Sequence, residues 1–242
     1  GRYVATEGLL GPNSVLRQMG QEPVCLLGGG RALLLQLAHP LVAAGVADHS
    51  GFRTRPLERL QRTLDLMRML IYGDRHQAEA SLRQFHSAHA RISGFLREAV
   101  GPYPAGAHYS AHDPALKLWV HAALIDTHLL IYERFVRLLS PADRLRFYEE
   151  TRLLATWVGI PSAMIPPSLE EFRRYVEGML AGQALAVSDT ARTTAWALLD
   201  PPVWFIPRAC AHLVRFVTAG VLPESLRRAY GLVWNERREG AL

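Results

Sequence analysis

The sequence predicts an all-α fold: a single multi-helix bundle domain over residues 1–242, its helices packed in the globin style. Three observations carry this expectation. Apolar residues recur at steps of three and four along nearly the whole chain. No convincing pair of alternating strands interrupts them. Pro, Gly, Ser and Asp fall where helices begin and end. With 49% hydrophobic and 20% charged residues, the 242-residue chain is long and apolar enough to bury one substantial core, which argues against disorder.

The elements follow in order. Asn13 or Ser14 can cap a short first helix. An apolar helix is expected over 31–47, kinked at His39-Pro40, because Pro40 has no backbone donor and strands a carbonyl about one turn earlier. Pro56 opens a helix to about Tyr72, before Gly73. A long helix is expected over 74–100, ended by "GPYPAG". Another over 114–139 has Asp113 as its cap. Ser140 and Pro141 open the next, which closes on Gly159. "IPSAMIPPS" reads as a linker, followed by helices at 168–182, 187–199, 203–218 and 223–235.

Composition excludes several functions. The net charge of +5 suggests nucleic acid, but the arginines are spread among acids and no basic run carries interleaved aromatics. Cys25 and Cys210 lie far apart with no CxxC, which removes a zinc knot, a disulfide scaffold and a covalent haem attachment. The longest uncharged stretch, 32–47, is 16 residues and reads as a buried helix, so no transmembrane segment is expected. With no signal-peptide pattern at the visible start, the expectation is a cytoplasmic protein. Paired Glu-x-x-His steps, HExxH, GxSxG and phosphate-loop motifs are missing. "LLGGGRALLL" still leaves a helix N-terminus that could hold an anion. The 203–218 row, with the arginine-rich tail after it, offers a homodimer or membrane-surface contact, although packing against the core is the expected use.

The candidate residues are histidines and arginines. Ala78, Leu82, Phe85, His89, Ile92 and Leu96 step by three and four, which puts His89 on an inward row and His86 on its flank. A buried histidine stays neutral and can bind a metal, but it can equally be a structural residue bonded to a backbone carbonyl. Leu57, Leu60, Leu64, Met67 and Ile71 form a second row, flanked by Arg59, Arg62 and Thr63. Such a cationic, hydroxyl-bearing flank suits the carboxylates of a ligand like haem, or is simply solvated. His121, Leu124, His128, Ile131 and Phe135 make a third row, and with His39 the chain places more histidines inward than a core usually holds.

"LLLQLAHPLVAAGVADHSGF", "RLQRT", "IYGD", "HSAHARISG", "HDPALKLWVHAALIDT" and "WVGIPSAMIPP" follow one another at recognisable spacing over about residues 25–200. As an ordered set they resemble the all-α haem-dependent oxygenase family of the rubber oxygenases (latex-clearing proteins) and the MpaB-type oxygenases. The resemblance implies a non-covalent b-type haem enclosed by the bundle, with His89, the second histidine of "HSAH", as the proximal iron ligand. It matches Arg59 and Thr63 to the arginine and threonine of an Arg-x-x-Lys-Thr motif, and His121 to a haem-pocket histidine. The lysine of that motif, which can sit on the distal side of the iron, is Arg62 here, and an arginine is a poor ligand because it does not readily lose its proton. The glutamate base of the rubber oxygenases has no counterpart, since 32–47 offers only Gln36 and His39. Oxidative double-bond cleavage therefore does not carry over.

The leading expectation is a haem-b-dependent oxidoreductase that uses dioxygen or peroxide on an apolar small molecule. In it His89 ligates the iron, Arg59 and Thr63 anchor a propionate or orient oxygen, Arg62 overhangs the distal side and His39 is a distal acid/base. The alternatives are a non-enzymatic haem carrier or sensor, and a bundle whose buried histidines are structural.

Overall fold

The computed structural model describes residues 8–49, 56–199 and 208–242, the side chains of 56–60, 198 and 208 lying outside it. The described residues form twelve α-helices, and the architecture is all-α, as expected: α1 (Val15–Met19), α2 (Gly29–Leu37), α3 (Pro40–His49), α4 (Pro56–Tyr72), α5 (Arg75–His89), α6 (Pro114–Phe135), α7 (Pro141–Trp157), α8 (Leu169–Ala181), α9 (Asp189–Leu199), α10 (Arg208–Val221), α11 (Glu224–Ala229) and α12 (Glu236–Glu239). A 3₁₀ turn precedes α2, and another lies in the "IPSAM" linker. The expected caps form: Ser14, Asp113 and Ser140 each accept a backbone N–H of their helix. At α1 the Glu150 carboxylate of α7 also accepts from Val15 and Leu16, so an anion sits on the free N–H groups of that helix.

Three expectations are corrected. The 31–47 helix is two helices, and the unit ending at Leu37 meets α3 at 109°. Pro40 cannot donate, so it opens α3 rather than bending a continuous helix. Four carbonyls at the break find donors. Gln36 O accepts from His39 N, Leu35 O from the Trp119 indole at 3.0 Å, Leu34 O also from the Tyr230 hydroxyl at 2.7 Å, and Ala38 O from Ala186 N at 2.8 Å. These bonds from distant elements hold the sharp corner inside the core.

The second correction concerns 74–100. α5 stops at His89, and Ser93–Phe95 (β1) pairs antiparallel with His108–Ser110 (β2), so a small hairpin replaces the last three or so expected helical turns. The row from Ala78 to Leu96 is therefore broken after His89, with Ile92 and Leu96 belonging to the hairpin side. Third, 223–235 is helical only over α11, with α12 following as a separate short turn. The 203–218 helix is described only from Arg208 onward, the residues before it lying outside the described ones. Val217, Ala219 and Val221 of α10 are buried in the core while Leu213 is exposed, so packing against the core is its main use.

α6 is the central element. One face packs with α1, α4, α5, α7 and α8 around Ile125, Leu129, Phe147 and Leu154. Another packs with α2, α9 and α10 around Leu34, Trp119, Ala195 and Tyr230. The glycine run before α2 serves this packing: a Cβ on Gly28 would stand 2.8 Å from Thr127 Cγ2, and one on Gly30 2.0 Å from Thr218 Oγ1. Arg31 closes the same junction. It is buried, pairs with Asp126 at 2.7 Å and donates to Thr127 Oγ1 and Val221 O. Gly28, Gly30 and Arg31 of "GGGR" are thus accounted for by packing, while a Cβ on Gly29 would meet nothing within 4 Å. Among the described residues no single helix is long and apolar enough to cross a membrane, although the bent pair around Pro40 passes by length and composition.

Candidate functional site

α4 and α5 are joined by the two residues Gly73 and Asp74, with Asp74 and Gln77 forming a capping box at the start of α5. Packed together over so short a link, the two helices make an antiparallel hairpin. Counted from the link at the helical rise, Arg62 and Phe85 each lie about 17 Å out, and Arg59 and His89 each about 22–23 Å out. The fold therefore brings "RLQRT" level with "HSAH", two segments the sequence separates by more than twenty residues. Arg62 and Thr63 are exposed, and the side chain of Arg59 lies outside the described residues. The expected row of α4 holds at Met67 and Ile71, but Leu64 is 37% exposed, so the middle of α4 offers apolar as well as cationic surface.

His89 is half-buried at the last turn of α5. Its Nδ1 lies 2.8 Å from the carbonyl oxygen of Phe85, and the Phe85 ring packs on the imidazole at 3.9 Å between centroids. A carbonyl can only accept, so Nδ1 carries the proton and Nε2 carries the lone pair. His86 is held differently: its Nε2 donates to Trp157 O at 3.0 Å, tying α5 to the end of α7 over Gly159. An open groove lined by Arg83, Gln84, Ser87, Ala88 and Arg91 runs along the face of α5 opposite Phe85 and His89.

The other expected residues sit elsewhere in the bundle. His39, at the α2–α3 corner, is 5% exposed. Its Nε2 is 3.0 Å from the Tyr103 hydroxyl, and its Nδ1 is buried with no hydrogen-bond partner among the described residues. Burial pushes its pKa down to about 4 against a weaker upward pull from Asp113, so it is neutral. His121 is also lowered to about 4 by burial, partly offset by a hydrogen bond to the Thr151 backbone, so it faces α7. His128 is lowered to about 4 by burial, packs near Phe147 and leaves Nε2 without a partner among the described residues. Among the described contacts none joins His39 or His121 to His89. Sequence reasoning missed Tyr103, Tyr109, Asp48 and His49; only the last two fall in a motif it had marked, "VADHSGF".

These residues fit a haem better than a bare metal ion. Among the described residues no group of three or more His, Cys, Asp or Glu side chains could hold an ion. One imidazole with its lone pair fixed on Nε2 by a backbone acceptor is the form in which histidines bind metals. Exposed Arg62 and Thr63 stand on the facing helix about one turn nearer the link than His89.

An uncharacterized protein of Mycobacterium tuberculosis and one of Mycobacterium bovis are each 24% identical to the chain over 217 residues, covering 86% of it and 80% of the relative. No solved structure matches the chain. The family described as "ER-bound oxygenase mpaB/B'/Rubber oxygenase, catalytic domain" matches residues 16–242. The chain belongs to this family of oxygenase catalytic domains.

Proposed function

We propose that the chain is a haem-b-dependent oxygenase acting on an apolar small molecule, with His89 as the single protein ligand of the iron. The observation that carries the reading is the Nδ1–H of His89 held on Phe85 O, which presents the lone pair of Nε2 at the level of Arg59–Thr63. Bound haem would supply the chemistry on dioxygen or peroxide. The chain's own residues do the rest. His89 holds the group through Nε2, and the Phe85 carbonyl keeps the ring from turning. Arg59 and Thr63 bind a haem carboxylate, and exposed Leu64 becomes covered. Arg62 overhangs the distal side without ligating, because a guanidinium keeps its proton. His39, buried and neutral, holds or moves a proton at Nδ1, and His121 walls the pocket.

The test is a spectrum of the purified chain, followed by addition of dioxygen with a reductant, or of peroxide, in the presence of apolar candidates. The expected result is a Soret band that His89→Ala removes, with substrate-dependent consumption of the oxidant. A haem that never turns over would make the chain a carrier or sensor. A chain with no Soret band after reconstitution would end the haem reading.

A further inference from the structure

α3 ends in "ADH", whose Asp48 and His49 the reading above does not use. Both reach the hairpin that begins four residues after His89. The Tyr109 hydroxyl on β2 donates to Asp48 Oδ2 at 2.8 Å and lies 3.3 Å from His49 Nε2. His49 Nε2 donates to Ser93 O on β1 at 3.0 Å, and Arg97 pairs with the other oxygen of Asp48 at 2.9 Å. The arrangement is closely built. Tyr109 is 2% exposed, a Cβ on Gly94 would stand 2.4 Å from its hydroxyl, and a Cβ on Gly45 of α3 would meet its ring at 3.5 Å and Ile92 at 3.6 Å.

The chain between this cluster and His89 is tied at successive residues. Ile92 N donates to His89 O, Ala111 N donates to Ile92 O, and the next carbonyl, Ser93 O, is the one His49 holds. A shift at Ser93 is therefore passed to the last turn of α5 through bonded backbone rather than lost in a loose loop. We propose that Asp48, His49 and Tyr109 are positioning residues: they clasp the segment leaving α5 and so fix where the His89 imidazole stands. The proposal rests on His89 being the residue whose position matters for function.

The experiment uses the full chain expressed without haem. Amide exchange is measured across the chain, and the His89 ring is followed by nitrogen-15 NMR. Tyr109→Phe keeps the ring packing and removes only the hydroxyl; His49→Leu removes the donor to Ser93 O, and His49→Gln can restore it. The expected result is exchange about fivefold faster over 90–96 in Y109F and H49L, the size that one neutral hydrogen bond gives. Exchange elsewhere stays unchanged, the His89 Nδ1–H form becomes mixed with the other tautomer, and H49Q recovers both signals. Unchanged exchange over 90–96, or acceleration spread over the whole chain, would overturn the proposal. So would local loosening that leaves the His89 ring unaltered. A wild-type chain that takes up no haem sinks the preceding reading and leaves this test standing, because neither readout involves haem.

Discussion

The Nδ1 of His89 stands 2.8 Å from the carbonyl oxygen of Phe85, one turn back on the same helix, with the Phe85 ring packed on the imidazole at 3.9 Å. This pairing gives the two nitrogens of His89 different jobs. Nδ1 is spent on orientation, which leaves the lone pair of the ring on Nε2. His86, three residues earlier, is committed through its Nε2 to Trp157 O.

The resemblance to the rubber oxygenases sets Arg62 against a lysine, and substitution tests the proposal that α4 faces a haem iron. Arg62→Lys introduces an amine that can lose its proton and ligate. The oxidised, haem-loaded variant is expected to shift toward a six-coordinate, low-spin absorption spectrum relative to wild type. An identical spectrum at every pH up to the onset of unfolding would place residue 62 away from the metal.

Stability should fall in acid for a specific reason. His39, His121 and His128 are each held down from 6.5 to about 4, burial being the largest cause in all three. The unfolded chain takes up these protons near pH 6.5, and the folded chain only near pH 4. Stability is therefore fully present above about pH 6.5 and is lost as pH falls through that window, by at most about 3 kcal/mol per histidine. Denaturant titrations from pH 7 to pH 4 should show this slope, and His128→Leu should flatten it. A variant slope equal to that of wild type would contradict the burial of His128.

Gly30 has no room for a side chain. A Cβ there would stand 2.0 Å from Thr218 Oγ1, on a buried residue whose hydroxyl has no partner among the described residues. Gly30→Ala should cost about 1–3 kcal/mol, which lowers the melting temperature by about 2–4 °C for each kcal/mol. Thr218→Ala removes an unsatisfied hydroxyl and should be close to neutral. The double variant should recover part of the loss, a coupling that thermal melts of the four proteins would read. Strict additivity would mean the two residues do not touch.

The sequence made some of these features legible and hid others. Helix starts were readable wherever a capping side chain acts within its own turn, as at Ser14, Asp113 and Ser140. The corner at His39-Pro40 read as a kink because its stability comes from Trp119, Tyr230 and Ala186, which lie 80 or more residues away. The hairpin after His89 was read as helix because Ile92 and Leu96 continued the apolar steps, and strands of three residues are too short to show alternation. The apolar row that put His89 forward ends at His89 itself, since α5 stops there. The level placement of Arg59 and His89 follows from a two-residue link at Gly73–Asp74, which the sequence did mark. The partners of His39, Tyr103 on a loop and Asp113 through its charge, left no local pattern to find.

The central claim is that one histidine of "HSAH" holds the iron and the other does not. Haem content per chain, measured after reconstitution for wild type, His89→Ala and His86→Gln, tests it directly. The account predicts about one haem per chain for wild type and for H86Q, and none retained by H89A although its helical circular dichroism is unchanged. Full haem content in H89A, or its loss in H86Q alone, would contradict it.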